Sequence, residues 1–259
     1  MSFTFVTLLL FAGLLLGMLA ASEIGRRLGI ARIARDPEGL PKGVGAVEGA
    51  VFALLGLLLA FSFSGAASRF EDRRHLIREE TNAIGTAYLR VDLLPADAQP
   101  ELRELFRRYL DGRLQTYRNV SDVAATQAKL AADQALQKEI WSKAVSASMR
   151  PGVPTPTAQL LLPALNDMID ITTTRVVATR NHPPIEIFFM LACISVVSAL
   201  LVGYGASVNK YHSWLHTLVF SVVLSLTAYI ILDLEYPRFG LIRVDGADIT
   251  LEELKESMR

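Results

Sequence analysis

Four apolar stretches, Phe3–Ala21, Val44–Ala66, Ile185–Ala206 and Ser213–Leu232, divide this 259-residue chain into two pairs with a long charged segment between them. A helix needs about 20 apolar residues to cross the hydrocarbon core of a bilayer. In that solvent each backbone N–H and C=O must find its partner within the segment, which favours helices. Hydrophobic residues make up 51% of the chain and its mean hydropathy is +0.34, high for a soluble protein. The fold class that follows is all-α: an integral membrane protein with four transmembrane helices and a helical extramembrane bundle between the second and third. The expected divisions are a first transmembrane hairpin (1–66), the bundle (67–184), a second hairpin (185–233) and a C-terminal tail (234–259).

Charge adds little. With 26 basic and 26 acidic residues the formal net charge is +0, so no global field points to nucleic acid. Cys193, the only cysteine, lies in the third apolar run and reads as a small residue facing lipid or a neighbouring helix. The first run has no Lys or Arg before it, unlike a signal peptide, and is expected to be retained.

The first helix is expected to end near Ala21, where Ser22, Glu23, Arg26 and Arg27 return the chain to water. A basic connection over 22–44 would follow, with turn chemistry at Asp36-Pro37-Glu38-Gly39 and Pro41-Lys42-Gly43. The second run does not stop cleanly: Phe70, Ile77, Ile84 and Val91 recur at heptad spacing, the pattern of a helix that continues into water. Helices are predicted near Glu101–Tyr117, with Leu102, Leu105, Phe106, Tyr109 and Leu110 as an apolar stripe, over about Asp122–Met149, and over about Ala158–Arg180. Pro151, Pro154 and Pro156 break the chain between the last two. Such helices should fold back on one another as an antiparallel bundle. Val208 to His212 is a tight link that makes the last two runs a hairpin, and a short helix is predicted near Leu251–Met258.

Four spans put both termini and the bundle on one side. Arg26, Arg27, Arg32, Arg35, Lys42 and Lys210 stand on one face of the membrane, and Arg69, Arg73, Arg74, Arg78, Arg175, Arg180, Arg238 and Arg243 on the other. That balance slightly favours a cytoplasmic bundle and termini in a bacterial inner membrane.

Catalysis needs a constellation, and none is visible. His75, His182, His212 and His216 show no metal-ligand spacing, and there is no nucleophile elbow or P-loop, so no enzyme, metal or cofactor is expected. Asn119-Val120-Ser121 matches a glycosylation sequon, which means nothing in a cytoplasmic bundle. The polar groups at membrane depth say more. Ser62 and Ser64 alternate with Phe61 and Phe63 near the end of the second run. They fit a pore wall in which hydroxyls meet ions and phenyl rings form a constriction, or small residues that let helices pack closely. Gly49, Ala53, Gly56 and Ala60 support the packing role. Asp233 and Glu235 are expected at the membrane boundary, with Arg238 or Arg243 as partners.

Leu54-Leu55-Gly56-Leu57-Leu58-Leu59-Ala60-Phe61 followed by Arg69-Phe70-Glu71-Asp72-Arg73-Arg74-His75-Leu76 resembles the second helix of bestrophins and its cytosolic mouth. Glu235-Tyr236-Pro237-Arg238-Phe239-Gly240, with Asp245 and Asp248 downstream, is similar to the Glu-x-x-Asn-Pro-Phe-Gly segment after their fourth helix. Asn82 to Arg90 and Gly240 to Val244 look like signatures of the bacterial bestrophin-like group, formerly a domain of unknown function. The departures are Tyr236 in place of the Asn before Pro, and Arg238 between Pro and Phe. The acidic calcium clasp of animal members is not evident beyond Asp245 and Asp248.

The resemblance implies a pentameric channel whose second helices line a hydrophobic neck, with Leu57, Phe61 and Phe63 as neck candidates. With the hydroxyls, the pore-lining candidates are Leu57, Phe61, Ser62, Phe63 and Ser64; Glu235, Pro237, Phe239 and Gly240 form the turn after the fourth helix. Four short spans leave little room for a water path inside one chain, so the expected function is passive conduction of small inorganic ions through a homo-oligomer. The rival is a membrane-anchored scaffold or sensor whose bundle binds a partner protein.

Overall fold

The computed structural model describes residues 3–35, 44–118, 123–208 and 214–258. The turn expected over 36–43, the Asn119–Ser121 sequon and residues 209–212 of the second hairpin's link lie outside them. The described residues form eight helices, α1 (Phe3–Arg35), α2 (Val44–Arg90), α3 (Gln99–Arg118), α4 (Val123–Ser148), α5 (Thr155–Arg180), α6 (Ile185–Ala206), α7 (Trp214–Glu235) and α8 (Ile249–Ser257). Short 3-10 turns cover Val91–Leu93 and Asp245–Asp248, and no strand occurs among the described residues. Among the described residues four helices are long and apolar enough to cross a membrane. The chain is an all-α membrane protein.

Two compact units share the chain: residues 1–69 with 182–242, and residues 70–181 with 243–259. The tail is divided between them at Ile242. The 47-residue helix α2 runs unbroken from the first unit into the second.

In the membrane unit, α1 is longer than its composition suggests. It continues past Ala21 to Arg35, because no proline interrupts it before Pro37 and Glu23 pairs within the helix to Arg26 (3.0 Å) and Arg27 (2.8 Å). Gly25 and Gly29 then serve packing. A side chain at Gly25 would strike the Leu200 carbonyl, and one at Gly29 would strike Ser207. From the other side, a Cβ on Gly203 would strike the Ser22 carbonyl. Close backbone approach through small residues is how helices associate where lipid is as apolar as leucine. Met18, Ala21 and Ala199 are the buried apolar centre of this contact, with Leu14, Val196 and Phe220 against it. Gly203→Ala is therefore expected to force α1 and α6 apart at a cost of about 1–3 kcal/mol, read as a lower melting temperature of the detergent-solubilised protein. An unchanged melting temperature would show that the two helices are not held at this spacing.

The bundle unit is built from the extension of α2 with α3, α4, α5 and α8. Ile77, Ile84 and Val91 are buried and Phe70 packs against the same core, as the heptad spacing predicts. The α3 stripe, Leu102, Leu105, Phe106, Tyr109 and Leu110, is buried throughout. Pro156 stands in the first turn of α5, where a missing N–H costs nothing; the helix thus starts at Thr155, ahead of Ala158. Helix α8 closes the core with buried Leu251, with Leu254 placed where a Cβ added at Gly85 would meet it at 3.3 Å, and with a 3.0 Å hydroxyl pair between Thr81 and Thr250.

One polar cluster is sealed inside this unit. Glu80 of α2 is 0% exposed and takes hydrogen bonds from Arg113 Nε of α3 (2.5 Å) and from Arg175 of α5. Arg113 also meets Asp133 of α4 at 3.4 Å, and Thr116 donates to the same carboxylate at 3.2 Å. Burial raises the pKa of Glu80, but the Arg175 and Arg113 guanidiniums outweigh it and hold the carboxyl below its ordinary value. Asp133 goes the other way: burial raises it more than Arg113 and Thr116 lower it.

Candidate pore helix and the junction at its end

Within the membrane unit α2 has one covered and one uncovered side. Leu55, Leu59 and Ala66 are buried at helical spacing, and Phe52 packs on Phe220 of α7 with ring centroids 5.9 Å apart. On the opposite side Gly49, Ala53, Gly56, Leu57, Ala60, Phe61 and Ser64 are exposed. A Cβ added at Gly49 or Gly56 would meet nothing within 4 Å.

The five pore candidates do not share one line. A helix turns about 100° per residue, which puts Phe61 and Ser64 within about 40° of Leu57. Leu57 is 51% exposed and Phe61 67%. Ser62, about 140° round from Leu57 on the same pitch, is half-buried toward its own chain. Phe63 turns about 120° the other way and is 46% exposed. Alternation in sequence becomes divergence on a helix.

Ser62 borders a crevice of about 270 Å³ between α2, α6 and α7, walled by Leu58, Gly65, Ile187, Met190 and Ile231 and open on one side. An ion pair lines it as well. Glu235, the last residue of α7, is 0% exposed and accepts from Arg69 of α2, with Nε at 2.9 Å. His182 Nδ1 stands 3.5 Å from the other carboxylate oxygen, and its ring stacks on Tyr236 at 4.4 Å. Glu235 thus meets Arg69 from the end of the α2 span and His182 from the segment before α6. The Arg243 guanidinium pairs with Asp245 at 2.7 Å.

The turn after α7 is held by Asp233, two residues before Glu235. Tyr236 N donates to Asp233 O (3.2 Å) and Phe239 N to Tyr236 O (3.0 Å), which folds Pro237 into a tight turn. Buried Asp233 then caps the exit, accepting from Leu241 N at 3.1 Å and Ile242 N at 2.7 Å. Phe3 of α1 covers the turn, its ring 5.1 Å from Tyr236 and 5.8 Å from Phe239. Glu235, Pro237, Phe239 and Gly240 are therefore brought together.

Glycine at 240 is a matter of space: a Cβ there would overlap the Asp233 carboxylate. Gly240→Ala is expected to displace that cap and cost about 1–3 kcal/mol, the range for orphaning a buried polar group, seen as earlier thermal unfolding in detergent. Unfolding at the wild-type temperature would mean that the cap is dispensable.

Sequence reasoning missed Arg69 and His182 as partners of Glu235. The available signal was an acid closing an apolar helix, which needs a cation to be buried; a partner 166 residues away cannot be read from spacing. Cys193 is exposed, consistent with a residue that faces lipid or a neighbouring helix. Among the described residues no group of His, Cys, Asp or Glu is placed to hold a metal.

Among the solved structures that this chain resembles are two single-substitution variants of a bacterial Bestrophin homolog from Klebsiella pneumoniae. One has a TM-score of 0.74 at 15% identity, over 96% of this chain and 95% of that one. The other has a TM-score of 0.74 at 17% identity, over 96% and 98%. At such identity the likeness is one of fold. No curated protein matches in sequence. The model of the Bestrophin-like domain matches residues 25–248. That span takes in α2 to α7 and the Glu235–Gly240 turn, and the chain belongs to the Bestrophin-like family.

Proposed function

We propose that the protein is a homo-oligomeric ion channel in which the α2 helices of several copies surround one central path. The observation that carries this is the uncovered side of α2 at membrane depth. Small residues there (Gly49, Ala53, Gly56, Ala60) give way to Leu57, Phe61 and Ser64, so backbones can approach closely before apolar rings and a hydroxyl narrow the space. Leu57 and Phe61 form the neck and Ser64 offers a hydroxyl at its end. Ser62 and Phe63 stand in the same belt and border it from either flank. The family and the fold point the same way, and five copies is the count that the bestrophin resemblance favours.

The permeant species are small inorganic ions moving down their gradients. The bundle and both termini lie on the cytoplasmic side of a bacterial inner membrane, favoured by the basic cluster Arg69, Arg73, Arg74 and Arg78 at the end of the α2 span.

Ion flux from purified protein in liposomes tests this reading. A channel releases trapped ions without any energy source. A membrane-anchored scaffold releases none, and that result would overturn it.

A further inference from the structure

We infer that Phe63 of one copy seats in the α2–α6 crevice of the next, so that each copy completes its neighbour's wall beside the neck. The inference rests on the proposed ring of α2 helices. The two halves of the contact lie on opposite flanks of one helix. With about 100° per residue, Leu58, Ser62 and Gly65 turn to one flank of α2, beside α6. Phe63 turns to the other with Gly56 and Ala60. The Phe63 flank is uncovered: its ring is 46% exposed, Gly56 and Ala60 are exposed, and an added Cβ at Gly56 would touch nothing. It is a flat strip of small residues with one projecting ring.

Symmetry then fixes the depth. Rotation about an axis along the bilayer normal moves no residue up or down, so residue 63 of the next copy arrives at the level of residues 58–65. A surface that meets a different surface of its neighbour is the kind that closes into a ring. Size agrees as well: a cavity of roughly 150 Å³ lined by Leu, Ile and Phe holds benzene, and this crevice is about 270 Å³ with Leu58, Ile187, Met190 and Ile231 around it. Phe61 borders the same crevice, so the inserted ring braces the neck residue from behind. Phe63 is then a packing residue that positions Phe61, outside the ion path itself.

The test is a disulfide between copies. In a Cys193→Ser background, which removes the native thiol, Phe63→Cys combined with Ile187→Cys is oxidised in membranes. The expected product is a ladder of dimers and larger species that neither single variant gives. A product confined within one chain, or no ladder from a particle of wild-type mass, overturns the inference. Should the cysteine pair disturb assembly, a size swap decides. Ser62→Phe fills the crevice and is expected to deplete the assembled form, and Phe63→Ala in the same chain is expected to restore it; failure to restore overturns the seat. Flux separates this inference from the function it rests on. A ladder without flux refutes conduction and keeps the seat, whereas flux without a ladder refutes the seat alone.

Discussion

Leu57→Arg suppresses cation flux from reconstituted protein by about 100-fold or more, while chloride flux falls far less. Leu57 stands at the centre of the uncovered side of α2, 51% exposed in the chain. In a ring, each copy contributes one guanidinium at the same depth around a narrow path. Two like charges about 4 Å apart repel by about 4 kcal/mol at an effective dielectric near 20. Each 1.4 kcal/mol added to a barrier slows passage about tenfold. One arginine would thus exceed the stated factor, and a ring multiplies it. Leu57→Glu is expected to invert the preference. The checking measurement is paired potassium and chloride efflux from the same liposomes. If Leu57 instead faces lipid, arginine costs about 2.5–3.5 kcal/mol of insertion and lowers yield, with no change in the ratio of the two fluxes; an unchanged ratio sinks the neck assignment.

Glu80→Gln unfolds the bundle unit or lowers its stability by about 3–5 kcal/mol, the cost of breaking a buried ion pair from one side. The substitution keeps the volume and removes the charge. Arg113 and Arg175, 1% and 4% exposed, are then left beside an amide instead of the carboxylate between them. Glutamine also turns an N–H₂ toward guanidiniums that can only donate. Thermal or denaturant unfolding followed by helix content reads the loss, and wild-type stability would contradict it.

The sign of the pH dependence follows from the directions of shift. The carboxyl of Glu80 titrates below its ordinary value, so its contribution is present above the unfolded pKa of about 4.3 and is lost as pH falls through the folded value. Asp133, raised by burial, opposes this by destabilising the fold as pH climbs through its own folded value. In Glu80→Gln the acid-side loss is expected to shrink.

How much of this was written in the chain depends on the distance over which each signal acts. The spans, the unbroken run of α2, and the α3 stripe are local and periodic: Phe70, Ile77, Ile84 and Val91 recur at sevens and form one side of the core. The family was legible because Glu235 to Gly240 is a contiguous turn in which Pro237 and Gly240 have steric reasons to be present. Contacts between distant helices were not legible. Glu80 meets residues 33 and 95 positions away, and nothing local marks Arg113 as buried. Helix α1 was read short because Glu23, Arg26 and Arg27 look like a return to water. They remain helical because Gly25 and Gly29 dock on α6. The Phe-Ser alternation of 61–64 invited a single lining stripe, whereas a helical pitch sends Ser62 and Phe63 to opposite flanks.

The mass of the detergent-extracted particle tests the central claim most directly. A path walled by α2 helices from several copies requires a particle of several chains of 28.4 kDa, with five as the expected count. A monodisperse species at the mass of one chain would contradict it, because a single α2 leaves its Leu57–Phe61–Ser64 side facing nothing but lipid.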